Sequence, residues 1–147
     1  MEIKEFLEAF KEKRAGLLPI LYAFQEEKAS ITPKEIQEVA KQLKLEFEEI
    51  KQVAEEVVGI QVRETPKRII KVCTNIHCDV AGSDKLIHFL CQTLKIGSGE
   101  ISEKTDTAFV ATKCFGYCDI GPNLEINGKL YDEVTTEKLA KILKKNA

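Results

Sequence analysis

The placement of the cysteines constrains this chain of 147 residues more than any other feature. Four of the five cysteines form two close pairs, with four residues between Cys73 and Cys78 and three between Cys114 and Cys118. Thirty-five residues separate the two pairs. Each pair comes where a predicted strand gives way to a loop. We therefore expect the fold to bring four thiols to one site.

Two kinds of metal site compete for four such thiols. A 2Fe–2S cluster takes two thiolates on each iron, and a four-residue gap between ligands is a ferredoxin spacing. A zinc site can also bind four cysteines, and it tolerates gaps of two to four residues. Bacterial 4Fe–4S sites and thioredoxin redox pairs need gaps of two residues, which these cysteines do not have. The spacing therefore favours an iron–sulfur cluster and leaves zinc as the alternative.

The remaining cysteine and the two histidines are weaker candidates for metal ligands. Cys91 lies on the apolar face of a predicted helix, where cysteine behaves as a small hydrophobic residue. His77 adjoins Cys78, but histidine ligation of the Rieske type needs two histidines on one iron. The other histidine, His88, lies in the same predicted helix as Cys91. We expect none of these three side chains to bind the metal.

The sequence pattern changes from helical to mixed near residue 65. Apolar residues recur at helical spacing through the first sixty residues, and Thr32 with Glu35 forms a capping box at one helix start. The segment from Gly59 to Pro66 interrupts this pattern. We predict a helical bundle at 1–64 and an α/β domain at 65–147. The elements predicted in the second domain are a strand at 68–74, a helix at 83–94, two strands at 107–113 and 124–130 with a turn at Asn127-Gly128, and a helix from Thr135.

Charge and hydropathy exclude two classes of partner. With 22 basic and 24 acidic residues, the chain lacks the basic excess of a nucleic-acid-binding protein. Its longest apolar run, Ala15 to Phe24, is well short of the roughly 20 residues that a membrane span needs. The first residues show no signal-peptide pattern, so we expect a cytoplasmic protein. Thiols stay reduced in the cytoplasm, which favours metal ligation over disulfides.

Two segments around the cysteines resemble a known family. Val-Cys-Thr-Asn-Ile-His-Cys at 72–78 and Lys-Cys-Phe-Gly-Tyr-Cys-Asp-Ile-Gly-Pro at 113–122 resemble the 24-kDa subunit family of NADH dehydrogenases. This family includes a subunit of bacterial complex I, with relatives in NAD(P)-linked hydrogenases and formate dehydrogenases. Residues 17–27 and 127–139 also resemble that family. The resemblance covers roughly residue 14 to the end of the chain, and it favours iron–sulfur over zinc.

The resemblance implies a fold, a ligand set and a partner. It implies that a helical bundle precedes a thioredoxin-like 2Fe–2S ferredoxin domain, with Cys73 and Cys78 on one iron and Cys114 and Cys118 on the other. It also implies an electron-transfer subunit, not a catalyst, which docks on a flavoprotein that binds FMN and NAD(P)H beside further iron–sulfur subunits. A free-standing thioredoxin-like ferredoxin or a cluster-bearing regulatory module is the alternative.

The chain lacks a dinucleotide-binding motif, and it departs from the family's sequence at one segment. No Gly-x-Gly-x-x-Gly follows a predicted strand, so we expect this chain to have no dinucleotide site of its own. The family usually has Val-Ala-Thr-Phe-Tyr before the ferredoxin domain, whereas this chain has Val-Ala-Glu-Glu-Val at 53–57. That change replaces an aromatic pair where the helical region ends.

Overall fold

The structure is a computed structural model that describes residues 2–114 and 120–145. Its contacts divide the chain into two compact units, Met1–Pro66 and Lys67–Ala147. Each unit has its own buried apolar core. Among the helices of the described ranges, none combines the length and the apolar character that crossing a bilayer requires.

The first unit is built mainly of helices, as its sequence predicts. A short 3₁₀ turn at Lys13–Gly16 leads into the second helix, and a two-stranded parallel sheet joins two segments that the sequence did not predict as strands. The α-helices are α1 (Ile3–Glu8), α2 (Leu17–Lys28), α3 (Pro33–Leu43) and α4 (Phe47–Gln52), and the strands are β1 (Ser30–Ile31) and β2 (Gln61–Val62).

The predicted capping box at the start of α3 is confirmed. The Thr32 hydroxyl accepts a hydrogen bond from the Glu35 N–H at 3.3 Å, and the Glu35 carboxylate accepts one from the Thr32 N–H at 2.8 Å. The other oxygen of Glu35 lies 2.6 Å from the ammonium of Lys28, a largely buried residue of α2. Lys28 also donates to the Thr65 hydroxyl at 3.3 Å. Lys28 therefore joins α2 to α3 through an ion pair and to the end of the first unit through a hydrogen bond.

The helical spacing of Phe47, Ile50, Val53, Ala54 and Val57 predicts one continuous apolar helix face, and this prediction is wrong at its end. After α4 the backbone widens into a π-helix at Val53–Val58, in which the Ala54 carbonyl accepts the N–H groups of both Gly59 and Ile60. Gly59 ends the π-helix in the left-handed conformation, with φ of 75°. Ala54 is buried, but Val57 is exposed. The wider turn moves Val57 off the buried face that an α-helical spacing gives it.

The second unit is a five-stranded sheet in the order β4-β5-β3-β6-β7. The predicted order of strand, helix, two strands and helix is confirmed, and the structure adds the short strand β4 and the short helix α5. The strands are β3 (Arg68–Cys73), β4 (Glu100–Ser102), β5 (Thr107–Thr112), β6 (Leu124–Ile126) and β7 (Lys129–Tyr131), and the helices are α5 (Ile76–Ala81), α6 (Ser83–Leu94) and α7 (Thr136–Lys145).

The core of the second unit lies between the sheet and the helices α6 and α7. Ile70 and Val72 are two positions apart on β3, so their side chains point to the same face of the sheet, and both are buried. In α7 the helical spacing predicts that Leu139, Ile142 and Leu143 are buried. Leu139 and Leu143 are buried, and Ile142 is only partly so. The buried residues that pack together here are Ile70, Val72, Leu86, Leu90, Leu94, Phe109, Leu124, Ile126, Val134, Leu139 and Leu143.

Strand register fixes where the cysteine loops leave the sheet. β3 pairs with β5 in parallel, with Cys73 opposite Thr112, so both strands finish at the same end of the sheet. β6 runs antiparallel to β3, with Leu124 opposite Val72, and therefore starts at that end. We call this the cysteine end of the sheet. Cys114 follows β5 by two residues, and the chain enters β6 from the same end.

Candidate metal centre

The backbone that leaves β3 is held to both neighbouring strands. Cys73 is buried, and its N–H donates to the Asn123 carbonyl just before β6 at 3.1 Å. The next residue, Thr74, donates both its N–H and its hydroxyl to the Thr112 carbonyl of β5, each at 2.8 Å. The position of the Cys73 thiol is therefore set by the sheet itself.

Cys78 lies on the helix α5 and not in a loop as the sequence suggested. Asn75 caps this helix, because its side-chain oxygen accepts the His77 N–H at 3.3 Å. Gly82 ends the helix in the left-handed conformation, with φ of 112°. Two residues in the sequence signal this short helix: Asn75, which caps its start, and Gly82, which ends it. The helix turns Cys78 inwards, where the residue is fully buried.

The Cys78 thiol interacts with the thiols of Cys73 and Cys114. Burial raises the pKa of the Cys78 thiol, and a hydrogen bond with the Cys73 thiol raises this pKa further. The charges of Cys73 and Cys114 act in the same direction, whereas a backbone hydrogen bond from Asn123 opposes them. Cys114 follows β5 by two residues and is exposed. The fold thus brings Cys73 and Cys78 into hydrogen-bonding contact, and Cys114 follows the strand β5, which ends at the same end of the sheet.

The fourth predicted ligand, Cys118, lies outside the described residues. Within residues 2–114 and 120–145, no three His, Cys, Asp or Glu side chains are grouped tightly enough to hold a metal ion. Cys118 falls between Cys114 and Ile120, and Ile120 is again part of the described chain. Both flanks of this segment start from the cysteine end of the sheet.

The returning chain comes unusually close to Cys78. A Cβ atom on Gly121 would lie 3.0 Å from the Cys78 sulfur and 3.4 Å from its Cα, so only glycine fits without displacement. The buried side-chain amide of Asn123 points an N–H group at the same sulfur from 4.0 Å. Hydrogen bonds to ligand sulfurs stabilise thiolates and tune iron–sulfur sites. A set of soft sulfur donors with an amide donor behind them fits an iron–sulfur cluster.

Comparison with known proteins identifies the family. Residues 3–147 match the family of thioredoxin-like 2Fe-2S ferredoxins. The chain belongs to this family. Its members carry a 2Fe–2S cluster, which confirms the iron–sulfur prediction over zinc. The predicted α/β fold with a thioredoxin-like ferredoxin domain is confirmed by the same match.

Three relatives show how much of the chain is shared. It is 31% identical over 124 residues to NADH-quinone oxidoreductase subunit 2 of Thermus thermophilus, with 84% of this chain and 68% of that protein covered. It is 28% identical over 143 residues to an NADH-quinone oxidoreductase subunit of Mycobacterium tuberculosis, covering 97% of this chain and 57% of that protein. It is 27% identical over 142 residues to NADP-reducing hydrogenase subunit HndA of Solidesulfovibrio fructosivorans, covering 97% of this chain and 83% of that protein. The chain thus spans little more than half of the mycobacterial relative.

One solved structure shares the fold over most of the chain. It is an NAD+-reducing NiFe-hydrogenase in the H2-reduced state, with a TM-score of 0.58 and 20% sequence identity. The alignment covers 88% of this chain and 22% of the hydrogenase chain. At this identity the likeness concerns the fold.

The three residues that we do not expect to be ligands lie on the helices α5 and α6. Cys91 is partly buried on α6 and packs against the core of the ferredoxin unit, as the helix pattern predicts. His77 is exposed on α5 and His88 is exposed on α6. Sequence reasoning missed Gly121 and Asn123 as parts of the site. The run Gly-Pro-Asn, which begins three residues after Cys118, was their only signal, and it indicates a turn but not a contact with a sulfur.

We predict that Gly121→Ala weakens the cluster site. The added Cβ presses on the sulfur and backbone of a fully buried cysteine, and overpacking of this kind costs about 1–3 kcal/mol. Cluster content per chain, measured from visible absorbance and iron analysis, should fall. Gly97→Ala is the matched control, because its Cβ would meet only the Glu100 carboxylate at an ordinary 3.6 Å. Equal cluster content in both variants would contradict the close packing of Gly121 against the Cys78 sulfur.

Proposed function

We propose that Cys73, Cys78, Cys114 and Cys118 hold the 2Fe–2S cluster, with the first two on one iron and the last two on the other. The interactions of the Cys78 thiol with Cys73 and Cys114 support this set, and Cys118 lies four positions after Cys114 in the sequence. When bound, such a cluster accepts or releases one electron at a time. The chain's own part is to bury the first two sulfurs, exclude water from them and present the Asn123 amide.

We further propose that this ferredoxin is the electron-transfer subunit of a multi-subunit NAD(P)H-linked oxidoreductase. The observation that carries this proposal is the match along 97% of the chain to subunits of NADH-quinone oxidoreductase and of an NADP-reducing hydrogenase. A free-standing carrier would need little beyond the ferredoxin unit. The helical first unit, with its own core, therefore favours a subunit over the free-standing alternative.

The proposed partner is a flavoprotein subunit that binds FMN and NAD(P)H. NAD(P)H gives up two electrons together as hydride, whereas the cluster accepts one at a time, so a flavin has to stand between them. The sequence has no Gly-x-Gly-x-x-Gly motif that would hold the nucleotide itself. Further iron–sulfur subunits would continue the path beyond this one.

Two further assignments go with this function. We take the two units as separate domains, a helical bundle at 1–64 and a ferredoxin domain at 65–147. We also assign the protein to the cytoplasm, because reducing conditions keep ligand thiols available for iron. These assignments suit a subunit that receives electrons from a nicotinamide cofactor.

The ligand assignment predicts opposite outcomes for two cysteine variants. Cys114→Ser should lose most of the cluster, because it removes one of four thiolates. Cys91→Ser should keep the cluster, because Cys91 packs in the core on α6. Visible absorbance and iron content of the two purified proteins show which of the two cysteines is a cluster ligand. A colourless Cys91→Ser beside a coloured Cys114→Ser would reverse the assignment.

The functional proposal predicts that the isolated chain does not oxidise NAD(P)H. The purified protein with its cluster is mixed anaerobically with NADH or NADPH, and bleaching of the visible absorbance is followed in time. Bleaching should be negligible for the chain alone and rapid once the purified flavoprotein subunit of the same host is added. Fast bleaching by the chain alone, free of flavin, would refute the subunit assignment.

A further inference from the structure

Asn123 contacts both of the cysteines that we assign to one iron. Its backbone carbonyl accepts the Cys73 N–H at 3.1 Å. Its backbone N–H donates to the Cys78 thiol, and its side-chain Nδ2 lies 4.0 Å from the same sulfur. Asn123 is only 1% exposed and Cys78 is fully buried. These contacts are therefore made away from water.

The chain on either side of Asn123 fixes the position of its side chain. Leu124 begins β6 and lies opposite Val72 of β3. The Pro122 carbonyl accepts the Val134 N–H at 3.0 Å. The backbone that carries the amide is thus bonded before and after it. The amide can stay beside the Cys78 sulfur without any rearrangement of the chain.

Only one end of an amide suits a sulfur that binds metal. A cysteine that ligates a metal is a thiolate, which has no proton to donate and can only accept. The amide nitrogen of Asn123 carries the donors, whereas its oxygen only accepts. The nitrogen faces Cys78 in this structure. That orientation is the one that a ligated Cys78 requires.

The side-chain amide is not needed to hold the chain in place. The bond to Cys73 uses the backbone carbonyl of Asn123, which a residue of any type supplies. Burying an amide costs free energy that burying an apolar side chain does not. A residue that served only to pack this position would be apolar, like the neighbouring Leu124. The contact with the sulfur is what distinguishes asparagine here.

A buried donor beside the sulfur affects oxidised and reduced protein differently. Reduction adds negative charge to the cluster and its ligand sulfurs, and an N–H group stabilises the more negative form more strongly. Water does not screen this interaction, because both residues are buried. Asp79 also follows Cys78 directly, but it is exposed, so water and salt screen its charge.

We propose that the side-chain amide of Asn123 raises the reduction potential of the cluster by donating to the Cys78 sulfur. The amide acts through Cys78, so Asn123 is a positioning residue that sets how readily this subunit accepts an electron. This inference rests on the proposed ligand set, because it requires Cys78 to be a cluster ligand.

The variant Asn123→Leu tests the proposal. Leucine keeps the branching of the side chain and all backbone contacts but has no donor. The full chain with its cluster is titrated anaerobically against redox mediators, and the visible absorbance is followed. At the midpoint potential of the parent protein, the ratio of oxidised to reduced cluster should rise from one to about three or more, because one hydrogen bond to a charged sulfur is lost. The smaller Asn123→Val should shift the ratio in the same direction.

The matched control is Thr107→Val, a buried polar residue changed to an apolar one at the opposite end of the sheet. Thr107 lies opposite Arg68 at the start of β3, and its hydroxyl donates to the Thr105 carbonyl at 3.1 Å. This variant loses a buried hydrogen bond far along β5 from the thiols. Its reduction potential should equal that of the parent protein.

Three results would overturn the inference. The first is an unchanged or higher potential in both Asn123 variants, and the second is an equal fall in Thr107→Val. The third is loss of the cluster from both Asn123 variants, which would make the residue necessary for binding the cluster and not for setting its potential. A parent protein without a 2Fe–2S cluster would instead refute the proposed ligand set, so the two failures are distinguishable.

Discussion

The parallel pairing of β3 with β5 is the interaction on which the site depends. With Cys73 opposite Thr112, both strands finish at one end of the sheet, so Cys73 at the end of β3 and Cys114 just after β5 start from the same end. The two pairs are 35 residues apart in sequence, and α6 and β4 fill the connection between the parallel strands. A slip of one residue in this register would turn the Cys73 thiol to the opposite face of the sheet. The core residues Ile70 and Val72, which alternate with Cys73, hold that register in place.

Burial of the Cys78 thiol works against its ionisation until metal binds. The pKa of Cys78 is raised by burial and by the neighbouring thiols, which favours the protonated thiol in the unligated site. A metal ligand has to be a thiolate, and iron therefore displaces this proton when it binds. The close packing of Gly121 and the amide of Asn123 keep the sulfur of Cys78 dry and oriented.

Sequence alone was sufficient where a local signal determines local structure. The capping box at Thr32, the helix α6 and the turn at Asn127-Gly128 each rest on neighbouring residues, and each was predicted correctly. The π-helix at Val53–Val58 was missed, because its i to i+5 bonding shows in no apolar spacing. The contact of Gly121 with Cys78 was missed for a different reason. It joins residues 43 apart in sequence, and only the folded sheet brings them together.

The central claim is that four thiols at one end of this sheet carry a 2Fe–2S cluster. Its most direct test is the iron, acid-labile sulfide and zinc content of the full chain after anaerobic purification. We expect two irons and two sulfides per chain, with zinc well below one. Stoichiometric zinc with neither iron nor sulfide would contradict the claim.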